Sequence, residues 1–217
     1  MLNVMTESVY KKPSKKSDGT GCLAAVLIAV PVGIVILLVL TTGILKYNGL
    51  VNHEEPVDAQ WAQVENAYQR RADLIDNLVV TVRGYAIHEN RTFTEVADAR
   101  AKVGSVQLDA SDLSPEAFAK YESAQQNLNS AFSRLIVTVE RYPELKANQN
   151  FLQLQAQLEE IENTIISRRD AYNEVAQRYN LYRRKFPTNT FAVMFGFESK
   201  GYFKAKEGTD EVPVVEF

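Results

Sequence analysis

A single cysteine, Cys22, and two histidines, His53 and His88, are all that 217 residues offer of the side chains that most often build disulfides and metal sites. One cysteine excludes an intrachain disulfide, so the compartment cannot be read from pairing. His88-Glu89 opens like His-Glu-x-x-His, which sets two zinc ligands on one helix face, but the fifth position is Thr92. A di-iron carboxylate bundle needs Glu-x-x-His pairs, and the residue three before His88 is Tyr85. There is no Gly-x-Ser-x-Gly elbow and no Gly-x-x-x-x-Gly-Lys loop. Asn90-Arg91-Thr92 has the form of a glycosylation acceptor but falls within a helical pattern, and it is discarded. No catalytic residue, cofactor-binding residue or metal ligand is assigned, and the chain reads as a non-enzyme.

A basic stripe is missing too. The net charge of −3 divides into +2 over residues 1–22 and −5 over residues 46–217, where 20 basic side chains face 25 acidic ones. Nucleic acid is therefore not an expected partner.

What is present begins with 23 consecutive residues, Leu23 to Leu45, that carry no charge. Such a run crosses the roughly 30 Å hydrocarbon core of a bilayer as one helix. A cleavable signal has a shorter apolar region and a small-residue cleavage site, whereas this run ends Thr41-Thr42-Gly43-Ile44-Leu45-Lys46. No later segment repeats it, which predicts a single-pass membrane protein. The division expected is a short basic tail at 1–22, a transmembrane helix at 23–45, a helical bundle at 46–187 and a tail at 188–217 packed on the bundle. Lys11, Lys12, Lys15 and Lys16 before the run, against Lys46 after it, place the amino-terminal tail in the cytoplasm and the bundle outside.

The rest is patterned for helices. From Trp61, with Pro56 and Asp58 suiting a start, apolar residues recur as Val64, Tyr68, Ile75, Leu78, Val82 and Tyr85, then more loosely as Phe93 and Val96. A second helix begins at Ser114-Pro115-Glu116, with Ser as N-cap and Pro at the first helical position, and stops before Pro143. A third carries Leu154, Leu158, Ile161, Ile165, Tyr172, Val175, Tyr179, Tyr182 and Phe186 up to Pro187. The break at Lys102–Leu113 and the turn at Tyr142-Pro143-Glu144 make neighbours antiparallel. The fold class is all-α: a transmembrane helix followed by an antiparallel bundle of three long helices and one shorter one, the shorter placed at Lys46–Asn52. After Pro187 the chain turns aromatic, with Phe191, Phe195, Phe197, Tyr202, Phe203 and Phe217.

Several ordered motifs are familiar. Arg70-Arg71-x-Asp73-Leu74-Ile75-x-Asn77-Leu78-Val79, Gly84-Tyr85-Ala86-x-His88-Glu89, and Glu140-Arg141-Tyr142-Pro143-Glu144-Leu145-Lys146-Ala147-Asn148 belong to this set. So do Tyr172-Asn173, Tyr179-Asn180, Phe186-Pro187 and the closing Pro213-x-Val215-x-Phe217. Together they resemble the LemA family over nearly the whole chain from the apolar run onward. Asp76 departs from the pattern, where the family has Pro, and its absence should leave that helix straighter. The resemblance implies a membrane-anchored, mostly helical bundle of undefined molecular function, with one relative on the magnetosome membrane, and it transfers no catalytic residue. It also implies an orientation opposite to the one the lysines give.

Some polar residues sit where the apolar stripes should face the core. The three-four count places Arg71 between Tyr68 and Ile75, Glu89 after Tyr85, Gln125 between Tyr121 and Leu128, and Arg168 between Ile165 and Tyr172. They suggest an internal polar layer of Glu89, Gln125 and Arg168, with Arg71 pairing with Glu140 or Glu144, that fixes helix register. The cluster Arg183-Arg184-Lys185 suits a helix carboxyl end, with anionic lipid as the other reading. The functional expectation is a scaffold or adaptor for other membrane or envelope proteins, in contact with the lipid bilayer, with homo-oligomer formation left open. The alternatives are a hydrolase or lipid-modifying enzyme with a carboxylate site around Asp73, Asp76 and Asn77, and a transmembrane sensor.

Overall fold

A computed structural model of the chain describes the backbone of residues 19–86, 89–106, 108 and 112–204, and side chains from residue 27 onward. The four amino-terminal lysines, His88, part of the 102–113 connection and the closing Pro213-x-Val215-x-Phe217 lie outside the described residues. Among the described residues there are six helices and no strand: α1 (Gly19–Arg83), α2 (Asn90–Ser105), α3 (Pro115–Val139), α4 (Pro143–Lys146), α5 (Gln149–Arg184) and α6 (Thr188–Phe195).

The chain separates into two compact units, Met1–Leu45 and Lys46–Phe217. In the first, the large apolar side chains of α1 from Leu27 to Leu45 are exposed. Among the described residues α1 is the one helix long and apolar enough to cross a membrane.

The second unit is a bundle of α1, α2, α3 and α5, and its contacts give the directions. Arg100 of α2 reaches back to Asp76 of α1 at 2.7 Å, and Arg83 stands over the Phe93 ring, so α2 runs antiparallel to α1. Trp61 and Arg71 of α1 meet Phe118 and Gln125 of α3 in the same order. They meet Tyr172 and Glu162 of α5 in the reverse order. The result is an up-down-up-down bundle. Its core is one contiguous cluster from Leu50 and Val57 through Trp61, Leu128 and Leu135 to Tyr172 and Tyr179.

Two expectations are corrected. The first bundle helix does not start at Pro56: α1 passes through it unbroken. Leu50, Val57, Trp61, Val64, Tyr68, Ile75, Leu78 and Val82 are all buried and keep a seven-residue period, so burial of one unbroken stripe outweighs the lost hydrogen bond of an exposed proline. Nor does that helix reach Val96. It ends at Arg83, turns at Gly84-Tyr85 and restarts as α2, so the shorter bundle element is α2 and not residues 46–52. Tyr85 is exposed at the turn, but the next buried ring, Phe93, stands eleven residues after Val82, close to three full helical turns, so the spacing carries on across the break.

Capping sets the other boundaries. Ser114 accepts the Ala117 N–H at 3.3 Å ahead of Pro115. Asn148 accepts from the N–H groups of Asn150 and Phe151 at 2.9 and 3.1 Å and starts α5.

Candidate functional site

The described residues after α6, 196–204, have no regular secondary structure, and irregular backbone packed into a bundle needs a partner for its amides. α5 supplies them. Asn180 donates from Nδ2 to the Lys200 carbonyl at 2.9 Å and accepts the Lys200 N–H at Oδ1 at 3.0 Å. Two turns earlier Asn173 makes the same pair of bonds with Phe203, at 3.0 and 2.9 Å. Arg183 donates to the Phe197 carbonyl at 2.8 Å, Tyr179 to Glu198 at 2.8 Å, Tyr172 to Gly201 at 3.3 Å and Arg169 to Lys204 at 3.0 Å. From the opposite side the Gly201 N–H donates to the carbonyl of Leu113, just before α3, at 2.8 Å. These α5 residues recur at three and four positions, so they form one face of the helix, and that face clasps residues 197–204 by the backbone.

The side chains of the clasped segment lock it in register. Phe203 enters the aromatic cluster of Trp61, Phe118 and Tyr172, with its ring centroid 4.4 Å from Phe118, and the Arg169 guanidinium covers it at 4.5 Å. Trp61, almost fully buried at the centre, donates its indole N–H to the Leu108 carbonyl at 3.2 Å. Gly201 is needed where it stands, because a Cβ there would lie 2.9 Å from Phe118 Cβ. Lys200 is buried and reaches Glu54 of α1 at 2.7 Å. Burial pushes the Tyr172 and Tyr179 hydroxyls up, with the Asp58 and Glu54 carboxylates respectively adding to the shift. Both phenols therefore stay protonated donors over the neutral range.

Outside the clasp a groove of about 1160 Å³ lies between α3 and α5. Glu122, Gln126, Gln177, Arg178 and Leu181 line its walls, and Gly201 and Tyr202 its floor. The carboxylate of Glu122 is engaged by Arg169 at 3.0 Å, and that of Glu174 by Arg178. The site is thus rich in amide and guanidinium donors, with its acids already paired. Among the described residues no group of three or more His, Cys, Asp or Glu is placed to hold a metal.

The polar residues singled out from the stripes part company. Arg71 and Gln125 meet: Arg71 is buried and donates from Nη2 to Gln125 Oε1 at 2.6 Å. Its other terminal nitrogen bonds Glu162 Oε2 at 3.1 Å, in place of Glu140 or Glu144. Glu89 lies in the turn between α1 and α2, at the far end of the bundle from the clasp, where Arg141 pairs with it at 2.8 Å and the Tyr142 hydroxyl donates at 3.4 Å. Arg168 is exposed, and it is Arg169 that points to the interior. The inward positions of α5 step by four twice, from buried Ile161 to buried Ile165 to half-buried Arg169, where strict alternation would select 168. The shift turns the lower half of α5 so that it faces both the core and residues 197–204. Asp73 accepts from Gln69 at 2.9 Å and Asp76 pairs with Arg100, so the carboxylates of the enzyme alternative are engaged separately. Asn173 and Asn180 read from sequence as ordinary helix residues; the signal for them was the dipeptide Tyr-Asn repeated seven residues apart.

Residues 60–217 match the model of a family described as the LemA family. Over 197 residues the chain is 26% identical to the magnetosome protein MamQ 2 of Paramagnetospirillum magneticum, covering 81% of this chain and 71% of the relative. A magnetosome protein MamQ of Magnetospirillum gryphiswaldense is 26% identical over 193 residues, with the same coverage. The protein LemA of Metamycoplasma hominis is 25% identical over 180 residues, covering 80% of this chain and 78% of the relative.

Proposed function

The chain belongs to the LemA family, and from that premise we propose that it is a single-pass membrane-anchored scaffold or adaptor that holds extended segments of other membrane or envelope proteins, without catalysis of its own. The observation that carries this reading is the α5 clasp. It grips a peptide through backbone amides and carbonyls, and an open groove runs beside it. The groove offers hydrogen-bond donors with paired acids, which suits holding a chain rather than cutting one.

In this reading residues 23–45 are the anchor, 1–22 a basic tail on the cytoplasmic side and the bundle from residue 46 lies outside, with 188–217 folded back on it. The exposed apolar stretch of α1 and the lysine asymmetry of the sequence support it. Of the residues expected in the polar layer Arg71 and Gln125 meet, and with Glu162 as a third member they would set helix register.

The test is a photo-crosslinking amino acid at Gln177 of the full chain in its native membrane. Adducts with one or a few other membrane proteins, mapping to extended segments, are expected. Adducts with lipid or small molecules alone would rule the adaptor out. Orientation is tested in a cysteine-less chain with single cysteines at Ser8 and Thr209. An impermeant thiol reagent should reach only Thr209 on intact cells, and labelling of Ser8 alone reverses the topology.

A further inference from the structure

The exposed large apolar side chains of the bundle unit are not spread evenly. Val80, Val137, Leu152 and Ile166 stand singly along the helices, as surface residues do. A group gathers around α6 instead: Phe186 is 85% exposed, Val193 76% and Met194 64%, with Phe195 and Tyr47 also exposed. On α6 Thr188 and Ala192 turn inward while Val193 and Met194 turn outward, and Phe186, two residues before the helix, is exposed as well. That face has no partner among the described residues.

Its place in the chain identifies the cover. The Tyr47 ring packs against Phe195 at 5.2 Å and Phe197 at 5.6 Å. The last turn of α5 lies on the same few residues, with Tyr182 stacked on His53 at 4.2 Å and Lys46 Nζ over its ring. Gly49 permits this approach, since a Cβ there would run into the Tyr182 hydroxyl. Tyr47 is two residues from Leu45, the last residue of the charge-free run. Two residues of chain span at most about 7 Å. Anything packed on Tyr47 is therefore held close to the point where the chain leaves the bilayer, whatever direction it takes. Charge agrees with this: Arg183, Arg184 and Lys185 precede Phe186, and residues 181–197 contain no acid.

We propose that α6 is a membrane-interface helix. Phe186, Val193 and Met194 enter the headgroup–acyl boundary of the bilayer that takes residues 23–45, and Arg184 and Lys185 meet anionic phospholipid. The inference rests on the anchor reading and not on the adaptor. It ties the clasped segment to the bilayer at one end, since residues 197–204 follow α6 directly.

The test uses the full chain with Cys22→Ser and one new cysteine carrying an environment-sensitive fluorophore, in vesicles of phosphatidylcholine and phosphatidylglycerol. With a nitroxide on shallow acyl carbons, emission from Val193→Cys should be blue-shifted and fall by about half, while Val137→Cys stays unchanged. Quenching at position 193 should weaken in pure phosphatidylcholine; equal quenching there overturns the anionic-lipid part. Ile36→Cys with a deep nitroxide reports the anchor. Quenching at 36 without quenching at 193 overturns the α6 proposal and leaves the anchor standing, and no quenching at either overturns both. Blue-shifted emission at 193 that lipid nitroxides do not touch means a second protein covers the face, and it also overturns the proposal.

Discussion

The two ends of the helical bundle are held by different physics. Toward Lys46, Trp61 is ringed by Phe118, Tyr121, Tyr172 and Phe203 with centroids 5.4 to 6.3 Å away, and the backbone of residues 197–204 is held by side chains that are buried or half-buried. At the far end, over buried apolar residues such as Phe93, Leu135 and Leu145, the polar contacts are ion pairs at the surface. Arg91 and Arg134 both reach Glu95 at 3.0 Å, and Arg141 reaches Glu89 at 2.8 Å. Buried hydrogen bonds to backbone are costly to leave unmade, whereas exposed ion pairs contribute little. The end that holds residues 197–204 should therefore be rigid and specific, and the far end should tolerate substitution of its surface charges.

The largest loss is expected at the centre of the aromatic cluster. Trp61→Ala should lower unfolding stability by about 3–5 kcal/mol in a denaturant titration, since it opens a cavity under four rings. Next, Asn173→Ala and Asn180→Ala each remove two bonds to buried backbone and should cost about 2 kcal/mol apiece, with new proteolytic cleavage within 197–204. Arg71→Met leaves buried Gln125 without its partner and should cost about 1–3 kcal/mol, partly recovered when Gln125→Leu is added.

Alkali tests the buried phenols. Burial raises Tyr121, Tyr172 and Tyr179 above the ordinary value of 10.0, so folding favours the protonated form. Their contribution is whole below that value and lost as pH rises past it, by up to about 1.4 kcal/mol per tyrosine for each pH unit. Circular dichroism should show melting temperature falling above pH 10. The smallest effect belongs to the far end. There the guanidinium groups of Arg91 and Arg134 hold the Glu95 carboxyl below its usual range, yet that carboxyl is solvated, and Arg134→Ala should leave the melting temperature unchanged. A large drop would erase the contrast between the two ends.

What could be read from the sequence follows the same divide. The stripes of α1, α3 and α5 are visible because apolar burial repeats with the helix, and Ser114-Pro115 marks its boundary by cap chemistry. Gln125 and Arg71 are visible as polar residues standing in those stripes. The break at Gly84 was missed because Phe93 and Val96 continue an apolar pattern loosely enough to pass for one helix. Strict alternation points to Arg168 and not Arg169, because it has no room for the two four-residue steps that turn α5 toward the segment it clasps. Asn173 and Asn180 are visible as a repeated Tyr-Asn dipeptide, but their role is not: their partners are backbone groups of a segment without periodicity, and side-chain pattern carries no record of such partners.

The most direct test of the clasp is amide hydrogen exchange of the full chain in lipid vesicles, read at Lys200, Gly201 and Phe203. The account requires slow exchange at all three in the unaltered chain. In the Asn173→Ala, Asn180→Ala double variant Lys200 and Phe203 should exchange rapidly, while the core amides of α3 around Leu128 stay protected. Rapid exchange at Lys200 and Phe203 in the unaltered chain would mean that α5 does not hold this segment, and the adaptor reading would lose its foundation.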